Sequence, residues 1–195
     1  MLIFASASKA RLELLNSAGI FPEKIVDTQT DETVLRNELP VQYVTRMALE
    51  KNRLAKKKDE DLVLSADTII AVGRRILGKP KNSVEARQFL DLVSGRRHKV
   101  MTGLCLFANG KYYQKLVKTT LRMKRLSGFE KERYLLSDEW QGKAGGYAIQ
   151  GSASYFFPFI SGSYTNVIGL PMTETIGLLV GVGYKLQPIM FNRDI

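Results

Sequence analysis

The chain has 195 residues, 45% hydrophobic and 25% charged, the balance of an ordinary globular protein long enough for one real core. Its 29 Lys and Arg outnumber 19 Asp and Glu, giving a formal net charge of +10 that favours an anionic partner, nucleic acid or a small phosphorylated substrate. One cysteine excludes an internal disulfide, one histidine excludes an HExxH zinc site, and no apolar run approaches the ~20 residues of a membrane helix.

Leu2–Ala5 reads as a short buried strand, with Ser6–Ala7–Ser8 after it and a helix from about Lys9 to Ser17 that Gly19 ends. The N-terminus lacks a basic region ahead of its apolar residues, so no signal peptide is expected and the cytoplasm is the expected compartment. Lys24–Asp27 reads as a strand. Pro40 opens a long helix with Val41, Val44, Ala48 and Ala55 on its apolar face and Met47 and Leu54 beside them. Leu62–Ser65 and Thr68–Val72 are expected as two strands. Asn82 and Glu85 begin a helix through Ala86, Phe89, Leu90 and Val93. His98–Ala108 and Lys111–Leu126 flank Asn109–Gly110, a strong hairpin signal, and the second strand alternates apolar and basic positions. Cys105, in an apolar run, is expected in the core. Ser127 and Glu130 cap a helix to about Ser137. Tyr155–Ile160 and Thr165–Ile168 are expected as strands, and Pro171 begins a last helix that loosens at Gly181 and Gly183. The mixture predicts one α/β domain over residues 1–195, with a mixed sheet flanked by helices.

The chemistry gathers at the ends of apolar elements. Ser65–Ala66–Asp67–Thr68 follows an apolar strand, and twelve residues after Asp67 stands Lys79, between Gly78 and Pro80. A carboxylate at a strand end can hold a divalent metal or take a proton from water, and a lysine in a turn can neutralise phosphate. Ser6, Ser8 and Arg11 surround a helix start, where free N–H groups and a guanidinium suit phosphate. Asp31–Glu32 is the kind of acidic pair a Mg²⁺ site recruits. Lys51 follows Met47 by four residues and so lies on the side of the apolar stripe, either snorkelling or reaching a pocket. Gly142–Gly151 is dense in glycine, which lets backbone approach a ligand, and Gln150 offers both a donor and an acceptor for a base edge. His98, in a turn leading into a strand, is expected to make a structural hydrogen bond.

Taken in order, Ala5–Leu15, Asp31–Glu32, Glu50–Lys51, Ser65–Thr68, Gly78–Pro80, Ser94–Gly95, His98–Gly103, Lys143–Gly151 and Gly162–Pro171 resemble the Maf family of nucleoside triphosphate pyrophosphatases. The resemblance covers nearly the whole chain. It implies an α/β fold with an elongated mixed sheet and two lobes around a cleft, in a cytoplasmic enzyme that commonly forms homodimers. It implies metal-dependent hydrolysis, with Mg²⁺ or Mn²⁺, of a nucleoside triphosphate to the monophosphate and pyrophosphate, and a place in nucleotide-pool sanitation or division arrest. By motif match Asp67 is the catalytic acidic residue and Glu32 its partner at the metal. Lys51, Lys79 and Arg11 are the phosphate-binding cations, while Thr68 and Gln150 fall at positions tied to substrate choice. The Tyr147–Gly151 motif resembles the subgroup acting on dTTP and UTP. One departure stands out: many members read Ser-Pro-Arg-Arg where this chain has Ser8–Lys9–Ala10–Arg11. The competing reading, a nucleic-acid-binding or division-regulating protein with a vestigial cleft, rests on the charge alone, and neither nucleic acid nor membrane is an expected partner.

Overall fold

A computed structural model describes residues 1–187. Seven strands form one mixed sheet: β1 (Leu2–Ala5), β2 (Lys24–Ile25), β3 (Leu62–Val72), β4 (Arg75–Leu77), β5 (Arg97–Ala108), β6 (Lys111–Arg122) and β7 (Phe159–Ser161). Their order is β2-β1-β3-β5-β6-β7, with β4 on the flank of β3. The β1 strand runs parallel to β2 and β3, and every other pairing is antiparallel. The helices are α1 (Lys9–Ser17), α2 (Pro40–Leu54), α3 (Ser83–Val93), α4 (Gly128–Leu135), α5 (Tyr164–Ile168) and α6 (Met172–Gly181). No helix among the described residues is long and apolar enough to cross a membrane.

Alternation along β3 sorts its side chains to two faces. Leu64 and Ala66 pack beneath α1 and α6 with Phe4, Leu15 and Leu179, while Ile70, farther along that face, joins the core built on Leu90, Phe156 and Trp140. Ile69 and Ala71, on the opposite face, pack against Tyr43, Val44 and Met47 of α2. Two cores on one face therefore leave a break between them, near residue 68 of β3.

Several local expectations change. Leu62–Val72 is one strand rather than two, because β5 pairs with it without interruption and Asp67 lies opposite Gly103. Asp67 is thus mid-strand and not at a strand end. The β2 strand stops at Ile25, and the short β4 strand went unread. The segment expected as a strand at Thr165–Ile168 is helix α5. Ser163 accepts from the Asn166 N–H at 3.1 Å, and this cap outweighs the β-branched Val167 and Ile168. Ser154–Phe156 is a 3₁₀ turn, and the following strand begins only at Phe159, where pairing with Arg122 becomes available. The second hairpin strand ends at Arg122 and α4 at Leu135, both short of expectation.

Candidate active site

Strand β1 pairs with β3 only as far as Ala5–Ser65, and β4 begins to pair only at Leu77–Ile70. Ala66, Asp67, Thr68 and Ile69 consequently have no strand neighbour on that side. The carboxyl ends of β1 and β4 both point into this gap, the position where open α/β sheets take ligands. Beyond β1 the chain delivers Ser6 and Ser8; beyond β4 it delivers Gly78 and Lys79. The resulting cleft is about 440 Å³, and Ser6, Ser8, Arg11, Glu32, Lys51, Asp67, Thr68, Lys79 and Gln150 all line it.

Asp67 projects toward α2. Its Oδ1 accepts from Lys51 Nζ at 2.5 Å, and the same ammonium donates to Glu32 Oε1 at 2.8 Å. Tyr43, Met47 and Lys51 follow one another at four-residue spacing, so all three face the sheet. Gly103 sets how close that helix comes: a Cβ there would lie 2.4 Å from the Val44 carbonyl oxygen. Glu32 arrives on an irregular segment fastened from α2. Tyr43 Oη donates to the Glu32 carbonyl at 3.0 Å, and Arg46 donates to the Thr33 carbonyl at 3.1 Å while forking onto Glu38 at 2.6 and 2.7 Å. Burial would raise the Glu32 carboxyl, but the hydrogen bond and charge of Lys51, with Lys79 and Arg11 behind them, hold it below its ordinary value.

Thr68 points to the other face of β3, toward Arg11. The Arg11 guanidinium donates to four acceptors: Gly169 O at 2.7 Å, Ala66 O at 2.8 Å, Thr68 Oγ1 at 2.9 Å and Ser6 Oγ at 3.3 Å. It thereby clips α1 to the open edge of β3 and to the turn after α5. Burial pulls its pKa down, against the opposing charges of Asp67 and Glu32. The Thr68 hydroxyl also meets Thr102 Oγ1 at 2.9 Å and Gly169 O at 3.1 Å, so its bonding capacity is filled by protein. Ser8 caps α1 by accepting from Arg11 N at 3.4 Å, and the N–H groups of Lys9 and Ala10 have no partner among the described residues.

Lys79 makes no ion pair among the described residues, and Gln150 is exposed at the rim. The glycine-rich segment reaches the cleft through a hydrogen bond from Gly145 N to Gly78 O at 2.8 Å. His98 lies in β5, is 2% exposed, and bonds the Tyr147 hydroxyl at 2.8 Å, the structural role its sequence context implied. Burial pushes its imidazole down to about 4. Cys105 is buried as expected, with its thiol pushed up to about 12 by burial. Sequence reading missed Tyr43, Arg46 and the placement of Lys143 on the cleft wall. The four-residue spacing that drew attention to Lys51 also contains Tyr43, whereas nothing local marks the other two.

No three His, Cys, Asp or Glu side chains cluster as a metal cage among the described residues. Asp67 and Glu32 each give one oxygen to Lys51 and retain a second without a hydrogen-bond partner among the described residues. That donor set fits a cation such as Mg²⁺, which takes one or two carboxylates and completes its shell with water and substrate phosphate.

A carboxylate on an open stretch of strand, joined through a lysine to a second carboxylate and met by further cations and a helix N-terminus, defines an α/β protein equipped for phosphate chemistry. A profile of Maf-like proteins matches residues 1–182, and the chain belongs to that family. A protein of Roseobacter denitrificans named dTTP/UTP pyrophosphatase is 48% identical over 185 residues, covering 95% of this chain and 98% of that one. Proteins with the same name from Chelativorans sp. and Brucella abortus are each 50% identical, over 192 and 193 residues; they cover 94% and 95% of this chain, and the alignments span 92% and 93% of theirs. The solved structure of a HAM1 protein from Coxiella burnetii matches with a TM-score of 0.50 at 15% identity, covering 92% of this chain and 98% of that one, a likeness of fold alone.

Proposed function

We infer that this chain hydrolyses nucleoside triphosphates, dTTP and UTP foremost, to the nucleoside monophosphate and pyrophosphate. Relatives bearing that activity in their names align with nearly its whole length. The observation that carries the reading is the Lys51 bridge between Asp67, on the unpaired stretch of β3, and Glu32, inside a cleft that Lys79 also lines. In this reading Asp67 accepts a proton from the water that attacks the α-phosphorus. Lys51 holds that carboxylate in place and balances its charge. Lys79 and the free N–H groups of the first turn of α1 bind the distal phosphates, where negative charge grows as pyrophosphate departs. Asp67 and Glu32 would hold a divalent cation, Mg²⁺ or Mn²⁺, which when bound neutralises and orients phosphate oxygens. Ser6 and Ser8 shape the turn that presents α1. Arg11 acts here by fixing that turn to β3 and to Gly169, with Thr68 locked beside it, so base choice falls to Gln150 and the glycine-rich segment. Residues 1–195 act as one domain in the cytoplasm, as a homodimer.

The test is turnover of purified protein with Mg²⁺ against dTTP, UTP, CTP, ATP and GTP in isotopically labelled water. Pyrophosphate should appear before orthophosphate, the label should enter the monophosphate, and dTTP or UTP should lead. A diphosphate and orthophosphate as first products would overturn the reading.

A further inference from the structure

We propose that Lys143 is a phosphate-binding residue of the cleft, gripping the distal phosphates of the substrate together with Lys79. The proposal rests on the pyrophosphatase reading above and adds a residue to its binding machinery.

Five cations line the cleft: Lys9, Arg11, Lys51, Lys79 and Lys143. Two of them are committed to protein. Arg11 gives its guanidinium to Gly169, Ala66, Ser6 and Thr68, and Lys51 is shared between Asp67 and Glu32. The formal charges of Arg11, Lys51, Asp67 and Glu32 cancel. Attraction for a triphosphate therefore falls to the first turn of α1 and to the remaining lysines, which make no ion pair or hydrogen bond through their ammonium groups among the described residues and are opposed on the cleft wall by Asp27.

Lys143 is not simply one more solvated lysine, because the turn that carries it is fastened to the segment that carries Lys79. Gly145 N donates to Gly78 O at 2.8 Å, and Gly146 lies against Pro80, where an added Cβ would be 3.4 Å from the proline Cγ. The two glycines thus rest on the residues either side of Lys79. Gly146 N also donates to Lys143 O at 3.0 Å, closing the turn that carries Lys143. Gly145 has a φ of 69° and sits so tightly on β3 that a Cβ would come within 2.3 Å of Ile70 Cδ1. Two lysines consequently project from adjoining turns anchored to the same strand that carries Asp67. Paired point charges on rigid turns suit adjacent phosphates, and neither needs the planar fork of an arginine.

The experiment compares wild type with Lys143→Met, Lys143→Gln and Lys143→Arg. Binding of inorganic pyrophosphate is measured by calorimetry, kcat/KM for dTTP by product release, and folding by thermal melting. Pyrophosphate should bind about tenfold or more weakly to the Met and Gln variants, the effect of one lost charge-assisted hydrogen bond, and within about threefold of wild type to the Arg variant. Dissociation of dTMP, which lacks the distal phosphates, should not change, and melting curves should coincide. Equal pyrophosphate affinity in wild type and the Met and Gln variants, tight or undetectable, overturns the proposal. So does an equal loss of dTMP affinity, which would mark a general disturbance of the cleft. Failure of wild type to turn over dTTP or UTP would instead overturn the functional reading, while the pyrophosphate titration would still decide the role of Lys143.

Discussion

Replacing Gly103 by alanine should damage the active site by pushing on α2 from the sheet. The new Cβ would stand 2.4 Å from the Val44 carbonyl oxygen and 3.2 Å from Thr45 Cα, about an ångström inside ordinary contact for the closer pair. Both obstacles are backbone, so no side chain can rotate aside, and α2 must back away from β5. Lys51 rides on that helix, and its Nζ reaches Asp67 Oδ1 at only 2.5 Å. Overpacking of this kind costs ~1–3 kcal/mol, and an ångström of misplacement at a reacting group can cost ~10²-fold in rate. Urea unfolding should show a lower midpoint with an unchanged slope, and kcat/KM for dTTP should fall by about two orders of magnitude. An alanine variant that loses stability yet keeps wild-type kcat/KM would refute the reasoning, since the distance between α2 and the sheet would then not govern the carboxylate.

Further outcomes follow from the same geometry. Asp67→Asn should lower kcat by ~10²–10⁴ with an unchanged circular dichroism spectrum, and near-normal turnover would remove Asp67 from the chemistry. In Lys51→Met, Asp67 and Glu32 face each other without their shared cation. Breaking such a pair costs up to ~3–5 kcal/mol when both members are buried, and less here because Glu32 is half exposed. Both kcat/KM for dTTP and the melting temperature should fall, and a variant that kept wild-type values of both would show that Lys51 does not organise the pair. Arg46→Met should free the segment bearing Glu32 and weaken catalysis while leaving the sheet intact, read as lower kcat/KM with preserved melting behaviour. His98 supplies a pH dependence of stability. Its unfolded imidazole takes a proton near pH 6.5 and its folded one near about 4, so the unfolded chain binds more protons between those values. Stability should be full above pH 6.5 and decline toward pH 4, by at most about 3 kcal/mol at ~1.36 kcal/mol per pH unit. A His98→Gln variant with the same decline would assign it elsewhere.

Local physics was legible in the sequence wherever a pattern repeats over a few residues. The cap at Asn82, the turn at Asn109–Gly110, most of the apolar face of α2 and the alternation along β6 each declare themselves within a dozen positions, although Leu54 is exposed and Ala55 lies just past the end of α2. Nine of the charged and polar residues gathered in the cleft were also legible from their types, though not Tyr43 or Lys143. Periodicity could not decide between helix and strand for Tyr164–Ile168, five residues settled by a cap and by packing. Nor could it show that β1 and β4 stop short of each other and leave four residues of β3 unpaired, because that gap is a property of pairing between distant segments. The bonds of Arg11 reach Gly169, 158 positions away, and give a residue that reads locally as a phosphate ligand the further task of clipping α1 to β3 and to the turn after α5. Likewise Lys143 and Lys79 line one cleft because Gly145 and Gly146 dock on Gly78 and Pro80. Sequence alone determined which chemical groups this protein carries and most of the elements that carry them. Which cations remain free for a ligand was decided by tertiary structure, since a hydrogen-bond donor used by a distant carbonyl is no longer available to substrate.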